Sequence, residues 1–361
     1  MRATVVDIFC GIGGLSYGFK AEGFDVAAGI DIDSTCRFAY ETNLNAEFIS
    51  DDIKKITGPK INRLFGAKDR PRVLIGCAPC APFSIYVGRY KKANRRNRQW
   101  SLLDEFLRII KTATPDVVSM ENVPRLARHK IFFRFVRTLE KKGYNVAYAK
   151  LRADHYGVPQ RRTRLVLIAS RLGEVSLPRP THLNRPVTVR NAIGKLPVIR
   201  AGKPSKRDRL HVTRNLTPRN LKRLRSTREG GSWRDWADDL QLDCHKKKKG
   251  RSFRSVYGRM VWDAPSPVIT TQCLGIGNGR FGHPDQDRAI SIREASLLQS
   301  FPRTFRFLPT GESVNGVMLA RQIGNAVPVR LSQAIARAIK QHLREFWTSN
   351  GASRGHDMKP N

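Results

Sequence analysis

Acidic residues are scarce in this chain: 30 Asp and Glu stand against 66 Lys and Arg, so 361 residues carry a net charge of +36. Charge of one sign at this density repels itself. Its usual compensation is a polyanionic partner, which points to nucleic acid. Long apolar runs are also missing: no stretch of about 18 uninterrupted apolar residues occurs, so no membrane-spanning helix is expected. The six cysteines are irregularly spaced, with one CxxC pair at Cys77 and Cys80 and an isolated Cys244-His245. That pattern fits reduced thiols in a cytoplasm; it argues against a disulfide framework or a zinc site, and no metal is expected. "MRATVVDIFC" runs straight into a strand and a glycine turn, so no signal peptide is expected there. The sequence holds no internal repeat.

What is present alternates. "ATVVDIF", "DVAAGIDID", "RVLIGC", "DVVSMENV" and "RTRLVLIAS" read as buried strands, with "SDDI" closing a further one. Between them, "LSYGFKAEG", "SLLDEFLRIIKTA" and "HKIFFRFVRTLEKKGY" space their apolar residues as helices, the last stopped at Gly143. Such alternation predicts an α/β fold, a doubly wound and mostly parallel sheet with helices on both faces. From about Pro178 to Pro267 the texture changes to prolines, arginines and a "KKKK" run with little period, too long for a loop and better read as a small irregular domain. Helical spacing returns at "SIREASLLQSF" and "VRLSQAIARAIKQHLREFW". The expected organisation is a catalytic and cofactor-binding domain over 1–177, an irregular domain over 178–285, a return of the catalytic domain over 286–347, and a disordered tail over 348–361.

Several clusters carry chemistry. In "DIFCGIGGLSYG" a strand meets the turn Gly11-Ile12-Gly13-Gly14 before a helix, a backbone that a ligand can approach closely. Asp31 ends the second strand, where an acid can accept hydrogen bonds from ribose hydroxyls. Phe9 sits where an aromatic ring could cover an adenine, and Asp51 and Asp52 could reach its amino group. "GCAPCAPFS" places Cys80 on a proline-stiffened loop at the carboxyl edge of the sheet, followed by the cations of "GRYKKANRRNRQW". Positive surroundings favour a nucleophilic thiolate. Cys77, by contrast, reads as an inert thiol inside the strand end. "MENVP" delivers Glu121 and Asn122 to the same edge. In "QRRTR", strand alternation would put Arg162 and Arg164 on one side, aimed at one site.

The ordered run FxGxGG, PCxxFS, ENV, QxRxR, RExxxLQxFP and GNAVP resembles the cytosine-5 DNA methyltransferase family of bacterial restriction-modification type, over nearly all of residues 3–340. The resemblance implies the Rossmann-like fold of class I S-adenosylmethionine-dependent methyltransferases, with the irregular region as its target-recognition domain. It implies transfer of a methyl group from S-adenosyl-L-methionine to carbon 5 of a flipped cytosine in double-stranded DNA. Cys80 would add to carbon 6, Glu121 would hold ring nitrogen 3 and the exocyclic amine, and Arg164, supported by Arg162, would meet the base carbonyl and phosphate. For the cofactor it implies Phe9, Gly11, Gly13, Gly14, Leu15, Asp31, Ile32, Asp52 and Ile53, joined by Asn325 and Val327 from the far end of the chain.

Base flipping costs a few kcal/mol, roughly. Lys91, Lys92, Arg95, Arg96 and Arg98 in the segment after Cys80 would offset it through phosphate contacts. Arg234, Arg251 and Arg254 of the irregular domain suit DNA as well, while Trp233 and Trp236 suit either DNA or a core. Relatives commonly have glutamine after the nucleophile; here that position is Ala81, which leaves open what fills the gap beside the flipped base. A monomer in the cytoplasm at the nucleoid is expected, with a restriction endonuclease as a partner acting on the same site. Two other readings stand beside this one: an RNA cytosine methyltransferase on the same scaffold, and a DNA-binding relative without catalysis.

Overall fold

A computed structural model describes residues 3–66, 69–79 and 93–354, with the backbone alone for 93–100, 249 and 350–354. The chain divides into two compact units. The first runs to Arg152, resumes over Thr163–Pro180 and again from Val329; the second comprises Ala153–Arg162 and Thr181–Pro328.

The first unit is built on seven strands: β1 (Thr4–Ile8), β2 (Asp25–Asp31), β3 (Glu47–Ser50), β4 (Arg72–Gly76), β5 (Val117–Asn122), β6 (Asn145–Arg152) and β7 (Thr163–Ser170). Their order is β3-β2-β1-β4-β5-β7-β6. β1 to β5 pair in parallel, and β7 lies antiparallel between β5 and β6. The mostly parallel sheet is thus as expected. β6 has no counterpart in the sequence reading, which passes from the helix stop at Gly143 directly to residue 162. The strand alternates between exposed and half-buried residues along its length, so no continuous apolar run marks it.

Helices α1 (Gly14–Ala21), α2 (Arg37–Leu44), α3 (Gly58–Phe65), α4 (Ala93–Ala113) and α5 (Lys130–Lys141) cross between strands, and the last helix, Val329–Arg354, packs on α1. Ser332 Oγ donates to the Leu15 carbonyl there, a contact that the missing side chain of Gly18 makes room for. One apolar cluster runs from Val6 through Phe106 and Phe135 to Ala169. The last helix continues through residues 348–354, which the sequence reading assigned to a disordered tail; an established helix extends readily past weak formers. Residues 355–361 lie outside the described residues.

The second unit is mostly loop, with α6 (Val189–Ile193), α7 (Pro218–Arg225), α8 (Asp243–Lys246), α9 (Lys248–Arg251), α10 (Ile292–Leu298) and α11 (Gly316–Asn325). It begins near the expected boundary but reaches Pro328. Residues 286–328, expected in the catalytic return, belong to this unit because buried polar groups tie them into it. His211 Nδ1 meets Ser291 Oγ at 2.8 Å, and the Arg293 guanidinium meets Asp208 at 2.6 Å.

Candidate active site

After β1 the backbone passes through three left-handed residues, Phe9 (φ 61°), Gly11 (φ 52°) and Gly13 (φ 86°). That conformation is costly for an aromatic residue and is kept only where the surroundings impose it. The Cys10 amide donates to the Ile30 carbonyl at 3.1 Å, and the Gly13 amide to the Cys10 carbonyl at 2.9 Å, pinning the turn before α1 starts at Gly14. A Cβ on Gly11 would meet no atom within 4 Å, so this face of the turn is open. Asp31 closes the other side. Its carboxylate accepts the Gly11 amide at 2.8 Å and the Asp33 amide at 2.9 Å, and burial pushes its pKa up. Each oxygen retains a further acceptor position. Ile32, next in the chain, is 73% exposed, a large aliphatic surface beside an acceptor and an open glycine turn.

Asp52 caps the short turn Ile53–Lys55 by accepting the Lys54 amide at 3.0 Å. Ile53, read from sequence as meeting the adenine edge, directs its side chain into the core, as does Leu15. Beneath the turn lies a group that the sequence reading did not assign. Asp7 is fully buried; Ser16 Oγ donates to its Oδ2 at 2.5 Å and meets the Tyr40 hydroxyl at 3.1 Å. Burial pushes the Asp7 carboxyl up to about 8, partly offset by the Ser16 hydrogen bond. The signal was present: an acid inside the otherwise apolar "TVVDIF".

Beside β1, β4 ends at Gly76, and β5 next to it ends at Asn122. A Cβ on Gly76 would come within 2.8 Å of the Ile8 carbonyl, so only glycine lets β4 lie this close to β1. Cys77, Ala78 and Pro79 follow; Cys80, Ala81, Lys91 and Lys92 lie outside the described residues, as do the side chains of Arg95, Arg96 and Arg98 on α4. Glu121 is 2% exposed. Arg164 Nε lies 3.0 Å from its Oε1, an ion pair that is off the line of a hydrogen bond. Its Oε2 accepts the Cys77 thiol at 3.0 Å. Asn122 Nδ2 donates to the Ala78 carbonyl at 2.9 Å, tying the loop after β4 to the end of β5. Cys77 is therefore not the inert strand thiol that the sequence suggested: β4 stops one residue short of it, and its sulfur turns to the carboxylate.

Arg162 and Arg164 do not share one face of a strand. β7 starts at Thr163, and Arg162 belongs to the second unit. Its guanidinium is buried and donates to the carbonyls of Ile269 at 3.1 Å and of Gly324 at 3.4 Å. This is a brace for the backbone, and the sequence reading of Arg162 as a pocket cation is corrected accordingly. Gln160 works alongside it, accepting the Ile269 amide at 3.0 Å and donating to Gln299 Oε1 at 2.9 Å, while Gln299 donates to the Ile323 carbonyl at 2.6 Å. The motifs "QRRTR", "LLQSF", "SPVITT" and "RQIGNAVP" thus converge on one buried amide and guanidinium cluster. In "RQIGNAVP" Asn325 is exposed and Val327 buried.

Elsewhere in the second unit Trp233 stacks on His245 with centroids 4.3 Å apart, and Trp236 and Tyr257 pack edge-on at 5.2 Å. Both tryptophans are core residues. Trp233 Nε1 donates to the Phe253 carbonyl at 2.9 Å, and Arg234 lies over the Trp233 ring at 5.6 Å. Phe253 is 39% exposed between exposed Arg251 and Arg254. Among the described residues no helix is long and apolar enough to cross a membrane, and no group of His, Cys, Asp and Glu could hold a metal ion.

Comparison with known proteins agrees with this arrangement. The profile of the C-5 cytosine-specific DNA methylases matches residues 3–341. The chain is 46% identical to the type II methylase M.HgiDII of Herpetosiphon aurantiacus over 347 residues, covering 95% of this chain and 96% of that one. It is 32% identical to the type II methyltransferase M1.HphI of Haemophilus parahaemolyticus, covering 94% and 87%. Among solved structures, a DNA modification methyltransferase candidate encoded within an Escherichia coli prophage aligns with TM-score 0.73 and 23% identity, covering 95% and 99%. The Entamoeba histolytica methyltransferase EhMeth aligns with TM-score 0.63 and 17% identity, covering 95% and 99%. With its mixed seven-stranded sheet carrying the glycine turn, Glu121 and Arg164, this chain belongs to the C-5 cytosine-specific DNA methylase family and is a DNA (cytosine-5) methyltransferase.

Proposed function

We propose that the chain methylates carbon 5 of a flipped cytosine in double-stranded DNA, within a restriction-modification pair, through a covalent adduct at Cys80. S-adenosyl-L-methionine would supply the electrophilic methyl group. The residues present fit this cofactor. The open face of Gly11 leaves space against the backbone, Asp31 retains acceptor positions for ribose hydroxyls, and Ile32 and Phe9 offer apolar surface to an adenine, with Asp52 at its edge. Gly13 and Gly14 form the rest of the turn, Leu15 contributes through its backbone, and Asn325 and Val327 are further residues proposed for the cofactor.

The observation that carries the reading is the buried Glu121 carboxylate at the carboxyl edge, held between Arg164 and the loop that leads to Cys80. Carbon 6 of cytosine is a weak electrophile. A carboxyl group that holds nitrogen 3 and the exocyclic amine lowers the barrier to thiolate addition by managing the proton that the ring must gain. Arg164, anchored on Glu121, is placed to meet the carbonyl oxygen of the same base.

DNA contact would come from Lys91, Lys92, Arg95, Arg96 and Arg98 beside Cys80, and from Arg234, Arg251 and Arg254 in the second unit, the target-recognition domain of this reading. Arg251, Arg254 and Lys246–Lys248 make no ion pair among the described residues, whereas Arg190, Arg225 and Arg259 in the same unit are matched to acids. Unmatched cations around a half-exposed phenylalanine suit phosphates and a base edge. The proposed partners are duplex DNA at the nucleoid and a restriction endonuclease acting on the same site, with the enzyme working as a monomer in the cytoplasm.

Bisulfite sequencing of host DNA expressing the chain tests the function and reveals the site. New methylcytosine at one recurrent sequence is the expected result; none, or label transferred from the cofactor to transfer RNA instead of duplex DNA, overturns it.

A further inference from the structure

We propose that Cys77 is a positioning residue for Glu121, its thiol proton fixing the carboxylate that faces the target base. The inference rests on the reading of Glu121 given above. It follows from how the end of β4 is built. Gly76 lies against the Ile8 carbonyl with no room for a side chain, so the backbone that delivers Cys77 is fixed from one side. Asn122 holds Ala78 from the other. Between these two restraints the Cys77 sulfur sits 3.0 Å from Glu121 Oε2, while Arg164 Nε sits 3.0 Å from Oε1.

A glutamate carboxylate rotates easily about its terminal bond, because that torsion has no steep wells. Arg164 alone would leave one oxygen anchored and the plane free to turn. The thiol supplies the second anchor and so defines the plane in which the base must meet the carboxylate. A thiol suits the task because it is a weak donor that occupies a single lone pair and leaves Oε2 able to accept the exocyclic amine as well. Cys77 also lies three residues before Cys80 in the sequence, so the chain that holds the carboxylate runs on directly to the proposed nucleophile.

The test uses the full chain with Cys77→Ala, Cys77→Ser and Glu121→Gln, and measures single-turnover adduct formation on a 5-fluorocytosine duplex, equilibrium binding of that duplex, and the S–H infrared band. Cys77→Ala is expected to slow adduct formation about tenfold, the factor that one lost hydrogen bond of ordinary strength brings, with duplex binding unchanged. Cys77→Ser, which keeps a donor, is expected to restore most of that rate. The S–H band that disappears in Cys77→Ala is expected to move to higher frequency in Glu121→Gln, whose neutral acceptor binds the proton more weakly.

Cys77→Ala reacting at the wild-type rate, Cys77→Ser as slow as the alanine variant, or an infrared band indifferent to Glu121→Gln would each overturn the proposal while leaving Glu121 in place. Glu121→Gln reacting at the wild-type rate would overturn the role of Glu121 itself, and the catalytic part of this proposal with it.

Discussion

In the first unit a seven-stranded sheet buries one continuous apolar cluster from Val6 to Ala169, with the acids Asp7 and Glu121 buried near the carboxyl ends of β1 and β5. In the second, buried apolar residues such as Leu298, Phe301 and Phe305 share the interior with buried charge. Arg288 and Glu294, 1% and 0% exposed, form a bidentate pair at 2.7 Å, with His283 3.7 Å from the same carboxylate. Arg259, 5% exposed, donates to the carbonyls of Thr227, His283 and Gln286. Burial opposes the Glu294 charge, yet the Arg288 guanidinium and the Ser291 amide hold its pKa below the usual carboxylate range, and burial pushes His283 down to about 4. A sheet can stack its own apolar faces. A domain made of loops must satisfy its backbone carbonyls with side chains, and here guanidinium and amide groups do so.

Substitutions at equally buried acids should therefore fail in different ways in the two units. Glu121→Gln should lower kcat by about 10²–10⁴ with thermal unfolding little changed, because it would remove the proposed proton management and leave a neutral isostere in place. Steady-state kinetics beside calorimetry separate the two effects. Glu294→Ala should destabilise the fold by about 3–5 kcal/mol, since it leaves Arg288 buried and unpaired. Replacing both with apolar residues of similar volume should recover much of that loss in a denaturant titration. If Glu294→Ala unfolds no earlier than wild type, the second unit is not held by charge and the contrast fails.

Asp7 gives a smaller effect with a defined sign. Its folded pKa lies above the ordinary value of 3.8, at about 8, so between these limits the folded state binds more protons than the unfolded state. Its contribution to stability is fully present below the lower value, is lost as pH rises toward the upper, and is flat beyond it. The loss should be on the order of 1.4 kcal/mol per pH unit within that window. Unfolding of Asp7→Asn, compared with wild type across pH 5 to 8, should show a shallower decline by about that amount. Parallel stability curves would contradict it. The smallest effect belongs to the exposed cations of the second unit. Arg251→Ala and Arg254→Ala should each reduce the slope of log K against log salt for duplex binding by about 0.9, with stability unchanged.

The same contrast explains what the sequence could disclose. Parallel strands buried on both faces leave apolar runs such as "RVLIG" and "DVVSM", so the order of elements and the chemistry at their ends are readable. β6 escaped because half its residues are exposed. Over 178–267 the second unit had little period to read, Gln160, Arg162 and Gln299 meet only through the closing of distant segments, and nothing local distinguishes Arg162, which braces backbone carbonyls, from Arg164, which pairs with Glu121. Asp7 and Cys77 were legible in part. An acid in an apolar strand and a second thiol three residues before Cys80 were visible, but the partners that give them meaning, Ser16, Tyr40 and Glu121, come from elsewhere in the fold.

The central claim is that the Cys80 sulfur bonds to the target base, and trapping on a 5-fluorocytosine duplex with S-adenosyl-L-methionine tests it most directly. The account predicts a denaturant-stable complex of one chain per duplex for wild type and none for Cys80→Ser. A stable complex formed by Cys80→Ser, or methylation that proceeds unimpaired in that variant, would contradict it.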